Sequence, residues 1–205
     1  MCPGVSGHKK TVVKRIGVIA DTHGSLDPQA GVIFEGVDLI LHAGDIGSIE
    51  VIRDLERIAP VVAVSGNHED EETAVLPWLE TVTVDGVKIA LTHRFFPLNM
   101  ENTVPMPAGW QKIMGVDGVR AMVFGHSHEP VCAQSAGMLY YCPGYAGPDM
   151  TEPVRTAGLL FLDGNNITAR TYFLSPPPRE EYFSKAQLFG GIVENIKDDG
   201  DCLKK

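Results

Sequence analysis

The chain has 205 residues, of which 44% are hydrophobic and 21% charged, with a formal net charge of −9 at pH 7. That length is enough for one sizeable core, and no run reaches the roughly 18 apolar residues of a membrane-spanning helix. The acidic balance argues against non-specific binding to long nucleic acids, which takes a basic footprint, but it leaves open a small anionic substrate, because a metal site brings its own positive charge.

Residues 1–10 are basic and lead into no apolar h-region, so they read as a loose tail and not as a secretory signal. Residues 14–20, KRIGVIA, make an apolar strand. Asp27-Pro28 then opens a short helical stretch, with proline near its start. A second apolar strand, DLILHA, covers 38–43. After it Ser48 caps a helix in which Ile49, Ile52, Leu55 and Ile58 recur every third residue. PVVAVSGN supplies a third strand. Continuous apolar strands alternating with helices predict a parallel first half with right-handed crossovers.

The pattern changes after residue 78. Residues 79–93 are two strands around Asp85-Gly86, a strong hairpin signal. Residues 94–110 contain three prolines and read as an irregular excursion, a candidate lid. A short helix is expected in QKIMGVDGV and a strand in RAMVFG (120–125), followed by hairpins turning at Ala136-Gly137 and around Asp163-Gly164. The second half is therefore expected to be mainly antiparallel. The domain is expected to span 11–174, with 175–205 a peripheral extension holding a helix at 181–197.

The four cysteines, Cys2, Cys132, Cys142 and Cys202, form no CxxC pair and no disulfide framework. Cys132 and Cys142 can pair across a hairpin, with two buried free thiols as the favoured reading. A reducing cytoplasm is the expected location.

Polar residues fall just beyond strand ends, where open α/β sheets collect their functional groups. Asp21 and His23 follow the first strand, Asp45 the second, and Asn67 and His68 the third. His93 ends the hairpin strand, and His126 and His128 follow RAMVFG. Five of the seven histidines lie in these clusters; His8 and His42 are the others. Each cluster alone has an ordinary explanation as a cap or turn. Together they crowd carboxylates and imidazoles at one sheet edge, which is costly without a cation. In extended backbone, residues i and i+2 share a face, so Asp21/His23 and His126/His128 can each reach one cluster. Oxygen and imidazole donors without thiolate suit manganese, iron, zinc or nickel. The set exceeds one tetrahedral ion, and two ions about 3.5–4 Å apart would use it all.

Asp21-Thr22-His23, Gly44-Asp45, Gly66-Asn67-His68-Glu69, a strand ending in His93, and Gly125-His126-Ser127-His128 resemble the ordered motifs of the calcineurin-like metallophosphoesterases, in particular their small bacterial and archaeal cytosolic phosphodiesterases. The resemblance spans 15–173. It implies a four-layer α/β/β/α sandwich of two mixed sheets flanked by helices, and two divalent ions, with manganese the first expectation and nickel, iron or zinc the alternatives. By the resemblance, Asp21, His23, Asp45 and His128 would hold one ion. Asp45, Asn67, His93 and His126 would hold the other, with Asp45 shared. A bridging hydroxide would attack phosphorus in line, with His68 as the general acid. The implied activity is hydrolysis of a small phosphodiester. The alternatives are a phosphomonoesterase or a non-catalytic metal-bound scaffold for protein contacts, as the retromer subunit of this fold is. The partner expected is a small phosphate ester, without membrane, and a homo-oligomer is left open.

The chain departs from the family pattern at two places. Arg94 follows His93 where the family has Gly-His, and Cys142-Pro143-Gly144-Tyr145 replaces Asn-Pro-Gly-Ser. Arg94 and Tyr145 are the candidate substrate contacts, a surface ion pair being the other reading of Arg94. His42 reads as a packing or supporting histidine. Glu69, Asp70, Glu71 and Glu72 read as a solvated acidic loop that would repel highly anionic substrates. Trp78, Phe95, Phe96 and Trp110 read as core, with Phe95, Phe96 or Trp110 as an apolar wall of the pocket.

Overall fold

The computed structural model describes residues 12–95, 98–99, 102–103, 111–112, 115–148, 154–174 and 192–194. In chain order its first half comprises β1 (Lys14–Ile19), α1 (Pro28–Ile33), β2 (Leu39–His42), α2 (Ile49–Glu56), β3 (Val61–Ala63), β4 (Leu79–Val84) and β5 (Val87–Thr92). There follow β6 (Leu98–Asn99), β7 (Asn102–Thr103), β8 (Ala121–Val123), β9 (Val131–Ser135), β10 (Met138–Cys142), β11 (Thr156–Asp163), β12 (Asn166–Phe173) and β13 (Ile192–Glu194).

One sheet has the order β13-β12-β11-β1-β2-β3 and the other β4-β5-β8-β10-β9, with β6 and β7 forming a small ribbon. The β1-β2-β3 half is parallel, as the alternation of strands and helices predicts. The second half is more mixed than expected. Although β4-β5, β9-β10 and β11-β12 are antiparallel hairpins, β8 runs parallel to both β5 and β10. β8 belongs to none of these hairpins and lies between β5 and β10, which both run in its direction.

The sheets pack face to face through alternate residues of each strand. Ile16 and Val18 of β1, Leu41 of β2, Ile89 and Leu91 of β5, Val123 of β8, Leu139 and Tyr141 of β10, and Leu160 and Leu162 of β11 fill the space between them. Each such aliphatic side chain contributes about 1.5–3 kcal/mol by leaving water. The Tyr141 hydroxyl, buried in this layer, donates to the Arg170 carbonyl at 3.1 Å and lies 2.9 Å from Thr171 Oγ1, so its polar end is satisfied.

The helices cover the outside of the first sheet. Asp27 caps α1 by accepting from the Gln29 amide at 2.8 Å, with Pro28 at the first helical position. Ser48 caps α2, whose Val51, Ile52 and Leu55 pack beside Phe34, Ile40 and Leu159. On the outside of the second sheet Val116 and Val119 pack over Ala90, Met122, Phe124 and Tyr140, with Phe95 against them. Gln111 and Lys112 there are helical.

Alternation also decides the cysteines. Tyr141 pairs with Cys132 and Cys142 with Val131 across the β9-β10 hairpin. Cys132 therefore faces the inner layer and Cys142 the outer one, and both are free thiols. Burial pushes the Cys142 thiol up to about 12.

Four local expectations are corrected. Asp163 still pairs with Asn166, so the last hairpin turns at Gly164-Asn165, one residue later than expected. Ile192–Glu194, expected inside a helix, form β13 alongside β12. The 94–110 excursion contains the β6-β7 ribbon. Trp78, expected in the core, is 64% exposed at the start of edge strand β4. The 1–10 tail, Phe96, Trp110, and the rest of the 94–110 and 175–205 segments lie outside the described residues. No helix among the described residues is long and apolar enough to cross a membrane.

Candidate metal centre

The parallel strands β1, β2 and β3 of one sheet and the parallel strands β5 and β8 of the other end at one edge, and their loops are stitched together by backbone bonds. The Asp21 amide donates to the Gly44 carbonyl at 3.0 Å, the His23 amide to the Asp45 carbonyl at 3.0 Å, and the Gly125 amide to the His93 carbonyl at 3.1 Å. Asp45 Oδ1 accepts from the amides of Asn67 at 2.6 Å and His68 at 2.8 Å, which ties the loop after β3 to the loop after β2. Gly66 is required there, because a Cβ at that position would overlap Asp45 Oδ1 and its amide. Gly44, at φ +84°, leaves room for His93: a Cβ there would lie 2.7 Å from the His93 Cβ.

Asp21, His23, Asp45, His126 and His128 all have positive φ, between 46° and 69°. The pairs Asp21/His23 and His126/His128 thus do not sit in extended backbone, as the i, i+2 argument assumed. They turn towards the cluster through left-handed residues, at a cost of about 1 kcal/mol or more each.

The donor atoms converge. His93 Nε2 lies 3.3 Å from Asp45 Oδ1 and 3.1 Å from Asn67 Oδ1. His128 Nε2 lies 3.6 Å from Asp21 Oδ1, and His23 Nε2 lies 3.9 Å from Asp45 Oδ2. The atoms of Asp21, His23 and His128 lie within 4.8 Å of one another, as do those of Asp21, Asp45 and His93. The His126 ring stands 5.1 Å from the His93 ring, centre to centre.

Chemistry shows that this arrangement fits divalent ions. His93 Nδ1 faces the Ala43 carbonyl at 2.9 Å, and a carbonyl only accepts, so Nδ1 carries the hydrogen. His93 Nε2 is thereby left facing two acceptors, Asp45 Oδ1 and Asn67 Oδ1, so a positive charge belongs at this point: a proton on Nε2 when no metal is bound, or a divalent ion that takes the Nε2 lone pair and both oxygens. Two ligands about 2.1 Å from a common ion stand about 3.0–3.4 Å apart, which matches.

The electrostatics carry the same signature. Burial pushes the Asp21 carboxyl up to about 7, only partly offset by His93 and His128. Burial also works to raise Asp45, but the hydrogen bonds from His93, His68 and Asn67 hold it well below the usual carboxylate range. For His93, burial lowers the pKa, and the bonds to Asp45 and Ala43 outweigh it and raise it. His23 and His126 are lowered, first by burial.

His68 and Asn67 are exposed at the mouth of the cluster, with the His68 ring 5.4 Å from that of His23. Exposed Arg94 donates from Nε and Nη2 to Asn67 Oδ1 at 3.2 and 3.0 Å. Tyr145 is buried, its ring 4.7 Å from His128 and 5.7 Å from His23, so it forms a wall behind the imidazoles. Phe95 packs 5.7 Å from both Phe124 and Tyr140, as part of the outer layer.

One support escaped the sequence reading. Glu69, expected to be solvated, accepts from the Ile46 amide at 3.1 Å, the Gly47 amide at 3.1 Å and the Gly66 amide at 2.6 Å, clasping both loops that carry Asp45 and Asn67. Asp70 beside it accepts from the Ile49 amide at 3.1 Å, at the start of α2. The available signal was position: Glu69 follows Asn67 and His68, whose backbone is fixed by the site. His42, read from the sequence as a packing or supporting histidine, is fully buried. Thr22 Oγ1 donates to the Ile46 carbonyl at 3.0 Å, so His42 Nε2 donates to Thr22 at 2.9 Å and Nδ1 is left as a bare buried lone pair. Burial lowers His42 to about 3, so it stays neutral.

A model of the calcineurin-like phosphoesterase superfamily domain matches residues 15–165. The chain belongs to this superfamily. It is 30% identical over 162 residues to a probable metallophosphoesterase of Methanothermobacter thermautotrophicus, covering 75% of this chain and 89% of that protein. A phosphodiesterase of Methanocaldococcus jannaschii is 27% identical over 163 residues, covering 71% of this chain and 92% of that protein. The solved structure of Vps29 with Zn²⁺ from Entamoeba histolytica shares the fold, with a TM-score of 0.61 at 24% identity over 78% of this chain and 92% of that one. The superfamily is metal-dependent, and the Asp and His groups described above are the ones this member offers.

Proposed function

We propose that the protein is a dinuclear metal-dependent phosphodiesterase. The observation that carries this reading is the convergence of Asp45 Oδ1, Asn67 Oδ1 and His93 Nε2 on one side of a carboxylate whose other oxygen faces His23. Asp21, His23, Asp45 and His128 would hold one ion. Asp45, Asn67, His93 and His126 would hold the second, and Asp45 is shared because its two oxygens face opposite halves of the set. When bound, such ions supply a nucleophilic water at neutral pH and offset the charge of the phosphoryl oxygens.

The remaining work falls to side chains at the mouth. His68 is exposed and adjacent to the cluster, so its imidazole can give a proton to the departing oxygen of the ester. Arg94 offers a planar fork of donors suited to phosphate oxygens. Tyr145, buried against His23 and His128, restricts the tilt of both rings. The resemblance to small phosphodiesterases supports diesters over monoesters, and the metal of first choice is manganese.

The test compares hydrolysis of bis-p-nitrophenyl phosphate and p-nitrophenyl phosphate by metal-stripped protein reloaded separately with Mn²⁺, Ni²⁺, Zn²⁺ or Mg²⁺. Asp45→Asn is expected to abolish turnover and weaken both ions, and His68→Ala to keep metal content while cutting kcat about 10²-fold or more. Turnover of the monoester alone would replace the substrate class. No turnover in protein carrying two ions would favour a scaffold.

A further inference from the structure

Arg94 does more to Asn67 than stand beside it. Nε and Nη2 form a fork on the same oxygen, Asn67 Oδ1, that would serve the second ion, and His93 Nε2 faces that oxygen too. A guanidinium is always charged and has no acceptor of its own. It therefore brings a permanent positive charge onto an electron-rich carbonyl within the ligand set. In the other half, His23 Nε2 faces Asp45 Oδ2 at 3.9 Å and His128 Nε2 faces Asp21 Oδ1 at 3.6 Å.

We propose that Arg94 is a tethered cation that competes with the second divalent ion for Asn67. The proposal rests on the dinuclear reading above. An ion entering between Asn67 Oδ1 and His93 Nε2 would stand a few ångströms from the guanidinium and be repelled by it. Its entry requires Arg94 to swing away, and the freed fork is then available to a phosphate oxygen of the substrate. The two halves of the centre consequently differ: the Asp21 half fills first, and the Asn67 half fills at higher metal concentration.

Mn²⁺ titration of the metal-stripped full chain by calorimetry, with metal content by mass spectrometry, tests this in wild type, Arg94→Met and Arg94→Lys. Arg94 is exposed, and circular dichroism checks that each variant keeps the fold. The expected result is two unequal sites in wild type. In Arg94→Met the weaker site tightens roughly tenfold or more, while the tighter site moves by less than about twofold; Arg94→Lys falls between, because the charge stays and the fork is lost. A second site unchanged in Arg94→Met would overturn the proposal. A weakened second site would also overturn it, and would make Arg94 a support that orients Asn67 as a ligand. A stoichiometry of one ion in every variant would instead overturn the dinuclear reading on which the proposal stands.

Discussion

At one edge of the sandwich β4 turns into β5 and β9 into β10, with Asp85-Gly86 and Ala136-Gly137 both in left-handed backbone. At the opposite edge Asp21, His23, Asp45, His126 and His128 adopt that same backbone conformation. The hairpin edge uses it to reverse direction with the twist that strands prefer, and the positions beside it open to solvent. The metal edge uses it in packed loops, where each strained residue aims a donor atom inward. The same left-handed region therefore means different things: at one edge it serves connectivity, at the other it is held by surrounding bonds for the sake of the side chain.

The first way to break this comparison is to remove what holds the metal edge. Glu69→Ala leaves the Ile46, Gly47 and Gly66 amides without their shared acceptor. We expect it to destabilise the protein by about 2–3 kcal/mol in urea denaturation and to weaken metal binding with it. The matched change at the hairpin edge is Arg120→Ala, which removes two bonds at 3.3 Å from an exposed guanidinium to the Gly137 and Asn165 carbonyls. Its expected cost is below about 1 kcal/mol. Equal costs would mean that the metal-edge loops are held by their backbone ladder alone.

The contrast also marks what the sequence could reveal. The βαβαβ half was legible because β1 and β2 are continuous apolar runs and Ser48 opens a periodic helix, and the hairpins were legible because Asp-Gly and Ala-Gly are local turn chemistry. The site residues were legible as a set because each follows a strand. The parallel entry of β8 between β5 and β10 was hidden, since pairing is a long-range choice that no local pattern encodes. Glu69 was hidden for a related reason: a carboxylate that accepts amides 22 and 23 residues away looks the same in sequence as one in water. Trp78 misled in the opposite direction, because an aromatic next to a strand reads as core unless its edge position is known.

A second effect separates the edges by pH. His42 is fully buried at the end of β2, behind the metal edge, and its pKa lies near 3. In the unfolded chain it takes a proton below about 6.5, so from 6.5 down to about 3 the unfolded state gains protons that the folded state refuses. Stability falls on acidification across that window by up to about 1.4 kcal/mol per pH unit from this residue alone. Asp21, raised to about 7, works in the other direction between its unfolded value and 7. The difference between wild type and His42→Gln isolates the histidine: metal-stripped His42→Gln should lose stability at pH 7 with Thr22's partner altered, and should show a flatter acid limb. Parallel acid limbs would mean that His42 is protonated in the fold.

The smallest effect tests the strain directly. Ala136 sits at φ 49° in an open turn, so Ala136→Gly should stabilise the protein by about 0.5 kcal/mol, the relief of left-handed strain less the entropy glycine adds to the unfolded chain. At the metal edge the informative pair is His128→Ala against His128→Gly in metal-stripped protein. Both lose the imidazole, and only glycine is at ease at φ 56°. If the loop itself enforces that backbone, through the His126 amide on Asp21 and the Gly125 amide on His93, glycine should exceed alanine by about 1 kcal/mol in thermal denaturation. If the two variants are equal, the loop relaxes once the ring is gone. The left-handed conformation would then be imposed by the imidazole's own contacts with Tyr145 and Asp21, and the scaffold would not be what stores the strain.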